Sequence, residues 1–219
     1  TSNNLRTVSF SDGSMIYAGG RDGIIIRSTN NGLNWSTVTT GVIRYRGSSA
    51  KGTKSWIVGE SGLISASTNS GASFTTQASN TASDLHNIFM LNELTGYIGG
   101  QNSTILYTSN GGSAWGSRSS GINQGVNGIH FSNSNTGWAV CNAGAIYITG
   151  NSGINWTPEN SSTALELFDV YFPDINKGWA VGAGGTIRHR SGTLGITVIS
   201  GPMPTEFALK QNYPNPFNP

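Results

Sequence analysis

The tightest constraint on this chain is its internal period. Four stretches share the pattern Ser/Thr-x-Asn-x-Gly-x-x-Trp/Phe: Ser28 to Trp35, Ser67 to Phe74, Thr108 to Trp115 and Thr149 to Trp156. Their closing aromatics lie 39, 41 and 41 residues apart. A second landmark, an aromatic followed by small and apolar residues, starts at Tyr17, Trp56, Tyr97, Trp138 and Trp179. A third lies nine residues before each of these, at Val8, Gly47, Ile88, Ile129 and Val170. Together they mark five repeats, about 5–43, 44–84, 85–125, 126–166 and 167–200. A period of this length means one supersecondary unit per copy, which buries its apolar faces only by stacking on its neighbours.

Each repeat divides into four β-rich pieces of four to six residues separated by Gly, Asn, Asp and Ser clusters. In the first repeat these are 5–10, 14–19, 24–28 and 35–39, with turns at Ser11-Asp12-Gly13 and Arg21-Asp22-Gly23. No stretch sustains a 3.6-residue period, so no helix of note is expected. Four antiparallel strands in about 40 residues, repeated, are the pattern of a β-propeller blade. The fold class is therefore all-β, a propeller of four-stranded antiparallel blades. The five blades either close into a ring or form an arc of a larger propeller. Closure is the favoured expectation, because it removes exposed strand edges.

The repeated turn reads as a structural clip. The Asn side chain is expected to bond the backbone two residues on, and the Ser or Thr hydroxyl to cap a second backbone group. The Gly allows a positive φ that a β-carbon resists. The closing aromatic is expected to fold into the seam between blades. The clip residues are Ser28, Asn30, Gly32 and Trp35; Ser67, Asn69, Gly71 and Phe74; Thr108, Asn110, Gly112 and Trp115; and Thr149, Asn151, Gly153 and Trp156.

Composition narrows the function classes. The 219 residues include 31 glycines and only 10% charged residues, with 36% hydrophobic residues and six Trp to build a core. The net charge is +2, and no basic stripe suggests a nucleic-acid partner. Cys141 is the single cysteine, which excludes a disulfide within the chain and a Cys-rich zinc site. It occupies the position of Gly20, Gly59, Gly100 and Gly182 in the other repeats, and reads as a small buried residue. His86, His130 and His189 are too widely spaced for a helical zinc motif, so no metal or cofactor is expected. No apolar run reaches the ~20 residues of a membrane span.

The four clips resemble the Asp-box, or BNR, repeat, with Asn wherever that family favours Asp. The unit from Val170 to Ile187 resembles the propeller repeat of the photosystem II assembly and stability factor family, a resemblance that extends from Leu5 to about residue 200. It implies a propeller. It does not choose a function, since such repeats also occur in sialidases, xyloglucanases and sortilin-type receptors. The fifth repeat lacks both the Asn and the closing aromatic after Arg190, so a looser third turn is expected there. Residues 201–206 read as a linker. Residues 207–219, with Gln211, Asn212, Tyr213, Pro214, Asn215, Pro216 and Phe217, resemble the opening of the C-terminal sorting domain of type IX secretion substrates in the Bacteroidota. That resemblance implies the type IX machinery as a partner and a secreted or cell-surface location. It also makes photosystem assembly an unfitting role.

In such a propeller the innermost strands start at one rim, which they share with the turns between strands two and three; the clips lie at the opposite rim. Candidate ligand contacts are therefore Arg6, Tyr45, His86, Asn127 and Phe168 at the strand starts, and Arg21, Asp22, Glu60, Gln101 and Asn142 at the turns. Their chemical variety suits a channel mouth with specific contacts. A sialidase requires three arginines on one carboxylate, and the Arg-Ile-Pro signature of that family is absent. A xyloglucanase-like hydrolase requires two carboxylates ~5–9.5 Å apart, and no pair among Asp22, Glu60 and Asp169 is favoured. The sequence reading is thus a non-catalytic, monomeric binding or scaffold module for a glycan or protein. The alternatives are a glycosidase-like hydrolase and a purely structural surface repeat.

Overall fold

The computed structural model describes residues 4–11, 14–39, 41–119, 121–191 and, for the backbone, 194–198. The linker, the sorting motif Gln211 to Phe217 and the turn residues Asp12 and Gly13 lie outside the described residues. Five four-stranded antiparallel sheets follow one another along the chain. Blade one is β1 (Leu5–Phe10), β2 (Ile16–Gly20), β3 (Ile25–Ser28) and β4 (Ser36–Thr39). Blade two is β5 (Tyr45–Lys51), β6 (Lys54–Gly59), β7 (Ile64–Ser67) and β8 (Thr75–Gln77). Blade three is β9 (Leu85–Met90), β10 (Gly96–Gly100), β11 (Ile105–Thr108) and β12 (Gly116–Ser117). Blade four is β13 (Val126–Phe131), β14 (Gly137–Cys141), β15 (Ile146–Thr149) and β16 (Thr157–Glu159). Blade five is β17 (Leu167–Asp174), β18 (Lys177–Gly182), β19 (Ile187–Ser191) and β20 (Leu194–Val198). The first strand of each blade is innermost, and successive inner strands pack side by side around a central channel.

Each blade has a leading and a trailing apolar face, because successive side chains on a strand point to opposite sides. Trp56, Val58, Ile64 and Ala66 of blade two meet Leu85, Ile88, Met90, Ile98, Leu106 and Trp115 of blade three in one core cluster. Tyr97 and Ile105 of blade three meet Val126, Ile129, Phe131 and Trp156 of blade four. Trp138, Val140 and Ile146 meet Leu167, Val170, Phe172 and Ala180 in the same way.

The expectation of ring closure is not met: the five blades form an arc. In blade four, Val126, Ile129, Phe131 and Trp156 are 0%, 2%, 2% and 3% exposed. Their equivalents in blade one, Leu5, Val8, Phe10 and Trp35, are 43%, 64%, 76% and 43% exposed. On the other side, Trp138, Val140 and Ile146 are 0%, 0% and 1% exposed, against 37%, 43% and 38% for Trp179, Val181 and Ile187 of blade five. Among the described residues, no core cluster joins blade five to blade one.

The clips form as four near-identical hydrogen-bonded loops. The hydroxyl of Thr149 accepts from the Gly153 N–H at 3.0 Å and donates to Asn151 Oδ1 at 3.0 Å. Asn151 Oδ1 in turn accepts from the Asn155 N–H at 3.0 Å. The Asn therefore reaches four residues on, not the expected two. The same bonds recur from Ser28, Ser67 and Thr108. Gly32, Gly71, Gly112 and Gly153 adopt φ of 84°, 71°, 89° and 75°, the region open to glycine. The closing aromatic reaches back to the preceding blade: Trp115 Nε1 donates to Gln77 Oε1 at 3.1 Å and Trp156 Nε1 to the Arg118 carbonyl at 3.0 Å. Trp35 Nε1 donates instead to the Gly32 carbonyl of its own clip at 3.1 Å, and the ring is half exposed. In the fifth blade Ser191 pairs with Leu194; the two residues between them, where a looser turn was expected, lie outside the described residues.

Strand two ends against the backbone that precedes the inner strand. A β-carbon on Gly20, Gly59, Gly100 or Gly182 would meet a carbonyl oxygen at 2.2, 2.1, 2.4 and 2.2 Å respectively. Cys141 carries a real β-carbon at that place. The backbone accommodates it with φ of −136°, where three of these glycines, Gly20, Gly59 and Gly182, have −162°. The thiol is fully buried and desolvation pushes its pKa up to about 12, so it stays protonated and inert.

Three aromatic rings pack against one another across the inner strands of blades three, four and five. His130 packs 4.5 Å from Phe89 and 4.9 Å from Tyr171, and its Nδ1 accepts from the Phe172 N–H at 3.3 Å. Desolvation, with a smaller push from the Lys51 charge, lowers its pKa to about 4, from 6.5. A depressed histidine pKa gives stability that is fully present above pH 6.5 and is lost as pH falls through about 4. Chemical denaturation across pH 4–7 should show a slope of up to about 1.4 kcal/mol per pH unit from this group. The slope should flatten in His130→Gln; an unchanged profile would assign it to other groups.

Candidate functional site

The rim opposite the clips is fixed by a repeated backbone bond. The first residue of each turn between strands two and three donates its N–H to the carbonyl just ahead of the inner strand. The pairs are Arg21 to Asn4, Glu60 to Arg44, Gln101 to Asp84, Asn142 to Gly125 and Ala183 to Glu166, at 2.8 to 3.2 Å. The same geometry in every blade places turn side chains beside strand-start side chains. The clips pair instead with the hairpins between strands one and two, through Asn31 to Ser14, Ser70 to Thr53, Gly111 to Leu94 and Ser152 to Asn135. That puts them at the far rim, as the sequence suggested.

Pairing register corrects one of the expected rim residues. Leu5, Tyr45, Leu85, Val126 and Leu167 each face the last residue of strand two, namely Gly20, Gly59, Gly100, Cys141 and Gly182. Tyr45 is therefore a seam residue, 6% exposed and packed with Ile25 and Ile57. The rim residue of blade two is Arg46. The first hairpin of repeat two is one residue shorter, turning at Gly52 and Thr53 between Lys51 and Lys54. Counting nine residues back from Trp56 therefore lands one position early, and a one-residue slip moves a side chain to the other face of a strand.

With that correction, Arg6, Arg46, His86, Asn127 and Phe168 line one cavity of about 440 Å³ together with Glu166. Below it the channel throat, about 410 Å³, is bordered by all five inner strands and adds Asn87 and Asp169. Beside it lies a cavity of about 420 Å³ lined by amide side chains, among them Gln101, Asn123, Gln124, Asn127 and Asn142. Arg21 and Asp22 lie at the blade-one end of the rim and border none of these cavities.

Two polar networks hold the mouth. In the first, Arg46 Nη2 donates to Glu60 Oε1 at 2.9 Å and to Asp84 Oδ2 at 3.3 Å, while Arg44 Nη1 lies 3.6 Å from Glu60 Oε1. Asp84 Oδ1 also accepts from the Ser61 N–H at 3.0 Å. In the second, the Asn127 amide nitrogen donates to Asn142 Oδ1, Glu166 Oε1 and the Leu167 carbonyl at 3.0, 3.2 and 2.9 Å. Its oxygen is left to accept from His86 Nδ1 at 3.2 Å. Desolvation, aided by the Arg46 charge, lowers the His86 pKa, so the ring is neutral at pH 7. Its Nε2 is buried and makes no hydrogen bond of ordinary geometry among the described residues. Arg6, exposed at the open end, makes no ion pair among the described residues.

Sequence reasoning missed Arg46, Asp84 and Glu166. The last two directly precede an inner strand, and their backbone carbonyls anchor the neighbouring turn. That position could have been read once the strand starts were aligned. Chemically, the mouth offers a row of hydrogen-bond donors and acceptors on rigid strands, with the Arg6 guanidinium outside any ion pair among the described residues and the Phe168 ring exposed. Glu60 and Asp84 both bond to the Arg46 guanidinium.

No protein-family model matches the chain, and no curated protein matches it. Solved structures do. YCF48 bound to D1 peptide overlays with a TM-score of 0.70 at 20% identity, over 86% of this chain and 63% of that one. YCF48 from Cyanidioschyzon merolae overlays at 0.70 and 16% identity, over 89% of this chain and 69% of that one. An ancestral GH74 enzyme overlays at 0.73 and 17% identity, over 90% of this chain and 31% of that one. At these identities the likeness is one of fold, the β-propeller.

Proposed function

We propose that this chain is a non-catalytic recognition module that binds an extended protein segment across the channel mouth. The observation that carries this reading is the convergence of five side chains of four chemical kinds, Arg6, Arg46, His86, Asn127 and Phe168, on one mouth of a rigid arc. Such variety on a repeated scaffold is the usual way propellers present a binding surface. The amide cavity beside it suits the free N–H and C=O groups of an extended backbone, and a propeller of the same fold has been solved with a peptide bound. A hydrolase would need one carboxylic acid kept protonated beside a second carboxylate. The two acids at this rim, Glu60 and Asp84, are instead tied to one guanidinium, that of Arg46.

Peptide and glycan arrays, followed by calorimetric titration of the best probe, test the proposal. The triple variant Arg6→Ala, Arg46→Ala and His86→Ala should lose at least about tenfold in affinity, each tenfold being 1.4 kcal/mol, with its circular dichroism unchanged. Unchanged affinity would remove the mouth as the site. Binding confined to glycans would replace the peptide reading with a glycan one, and reducing-sugar release from a β-glucan would replace it with a hydrolase.

We further propose that the module acts outside the cell. The support is the likeness of residues 207–219 to a type IX sorting domain. Fractionating a type IX-competent bacterium that expresses the gene reads this directly, and retention in the periplasm would overturn it.

A further inference from the structure

We propose that the cavity between blades three and four is a subsite for one carboxamide side chain, Asn or Gln, of the segment bound at the mouth. It rests on the recognition reading for the source of that side chain, and on the repeat for the subsite itself.

In the neighbouring seam, between blades two and three, the same place is filled. There Asp84, directly ahead of the inner strand, accepts from the Ser61 N–H at 3.0 Å through Oδ1 and from Arg46 at 3.3 Å through Oδ2. Arg46 also holds Glu60, the first residue of the turn, at 2.9 Å. One blade later the same positions are Gly125 for Asp84, Asn102 for Ser61, His86 for Arg46 and Gln101 for Glu60. No side chain stands where the acid was, and its two charged companions are replaced by a carboxamide and a ring that is neutral at pH 7. The Asn102 N–H and the carboxamides of Gln101 and Gln124 make no hydrogen bond among the described residues. What remains is a cavity of about 420 Å³ that keeps the backbone donor of the neighbouring seam without its acceptor.

A second departure from the repeat keeps the space open. The third residue of each turn between strands two and three has a positive φ, and in four blades it is a glycine: Gly23, Gly62, Gly144 and Gly185. A β-carbon on Gly62 or Gly144 would collide with the carbonyl oxygen of Thr81 or Thr163, so in those blades the connection to the next blade lies directly on the turn. Blade three has Ser103 instead, with φ of 59° and a real β-carbon. The equivalent connection, from Ile122 to Gly125, therefore stands off from the turn, and Ser103, Gln124 and Gly125 all border the cavity. Such a conformation is costly for a residue other than glycine, and residues held this way cluster at binding and catalytic sites.

The occupant follows from shape and charge. A carboxamide has the planar shape of the Asp84 carboxyl group. Its oxygen accepts from the Asn102 N–H, as Asp84 does from Ser61, and its NH2 group donates to the side-chain oxygen of Gln101 or Gln124. A carboxylate lacks that donor and would meet Glu166, the one acidic residue at the cavity, with no guanidinium in the place of Arg46. An aliphatic side chain would leave the donors and acceptors unpaired.

The test titrates the isotope-labelled whole chain with capped glutamine (N-acetyl, N-methylamide) and with capped glutamate, leucine and lysine. Nuclear magnetic resonance reads the side-chain amides of Gln101, Gln124 and Asn142 and the backbone N–H of Asn102. Capped glutamine should give saturable shifts there and should bind at least about tenfold more tightly than the other three. Gly125→Asp, which restores the acid of the neighbouring seam, should abolish the shifts. A β-carbon at position 125 comes closest to the Asn142 amide nitrogen, at 3.1 Å, the movable end of a side chain. If that variant fails to fold, Gln101→Ala decides: it should weaken the response about threefold, the weight of one neutral hydrogen bond. No saturable shift, equal shifts from all four compounds, tighter binding of the glutamate or lysine compound, or binding unchanged by the variants would overturn the subsite. The array peptides separate it from the reading it rests on. Peptides that bind with no loss when their Asn or Gln is replaced by Leu would keep the mouth as the site and remove the subsite. Glutamine shifts with no peptide bound would keep the subsite and remove the extended segment.

Discussion

Replacing Trp138 with alanine is expected to cost about 3–5 kcal/mol, the range for removing a large aromatic from a packed core. In a chain of this size that lowers the unfolding midpoint by roughly 10 °C. Trp138 is fully buried between blades four and five and stacks on Phe172, with ring centroids 3.7 Å apart and planes within 4°. Few other side chains could fill the void, because both sides of the seam are rigid strands. The repeat supplies its own control. Trp179 is the same residue one blade later, but it faces an open seam, so Trp179→Ala should cost well under half as much. Thermal unfolding of the two variants compares them directly; equal losses would mean that the last seam is sealed in solution. Trp138→Phe adds a finer comparison. The indole N–H has no partner among the described residues, so its removal should cost less than Trp56→Phe, which breaks the bond to Gly111.

Thr149→Val should be the second large loss, about 1–3 kcal/mol, the cost of stranding a buried polar group. The substitution keeps the shape of the side chain. It removes the acceptor for the Gly153 N–H and the donor to Asn151 Oδ1 in one step, and Thr149 is only 1% exposed, so water cannot replace either bond. Asn151→Asp should be neutral or stabilising, because the clip uses only the side-chain oxygen, as acceptor from Thr149 and from the Asn155 N–H. A carboxylate strengthens both bonds. Urea titration of the two variants separates a clip that works through its hydroxyl from one that depends on the closing Trp156 alone. In the latter case Thr149→Val would be nearly silent.

The mouth illustrates how far a repeat can be read. Position 86 could be assigned to the rim because blade three keeps the common strand and hairpin lengths. Position 45 could not, because a hairpin shortened by one residue changed the register without disturbing the aromatic landmark that anchored the count. The ion-pair network around Arg46 was equally hidden. It joins residues 44, 46, 60 and 84, from two blades, and only the packing of β5 beside β9 brings them together.

By itself the sequence determined the repeat, its four strands, the clips and the side of the ring on which they lie. Each of these is local, set by turn chemistry and alternation within about 40 residues, and each copy restates it. Only the tertiary structure decided that the blades form an arc with two open faces, that Arg46 replaces Tyr45 at the rim, and that Cys141 fits where other blades need glycine. Those outcomes depend on how one blade meets the next, a contact between residues about 40 positions apart that no single repeat encodes.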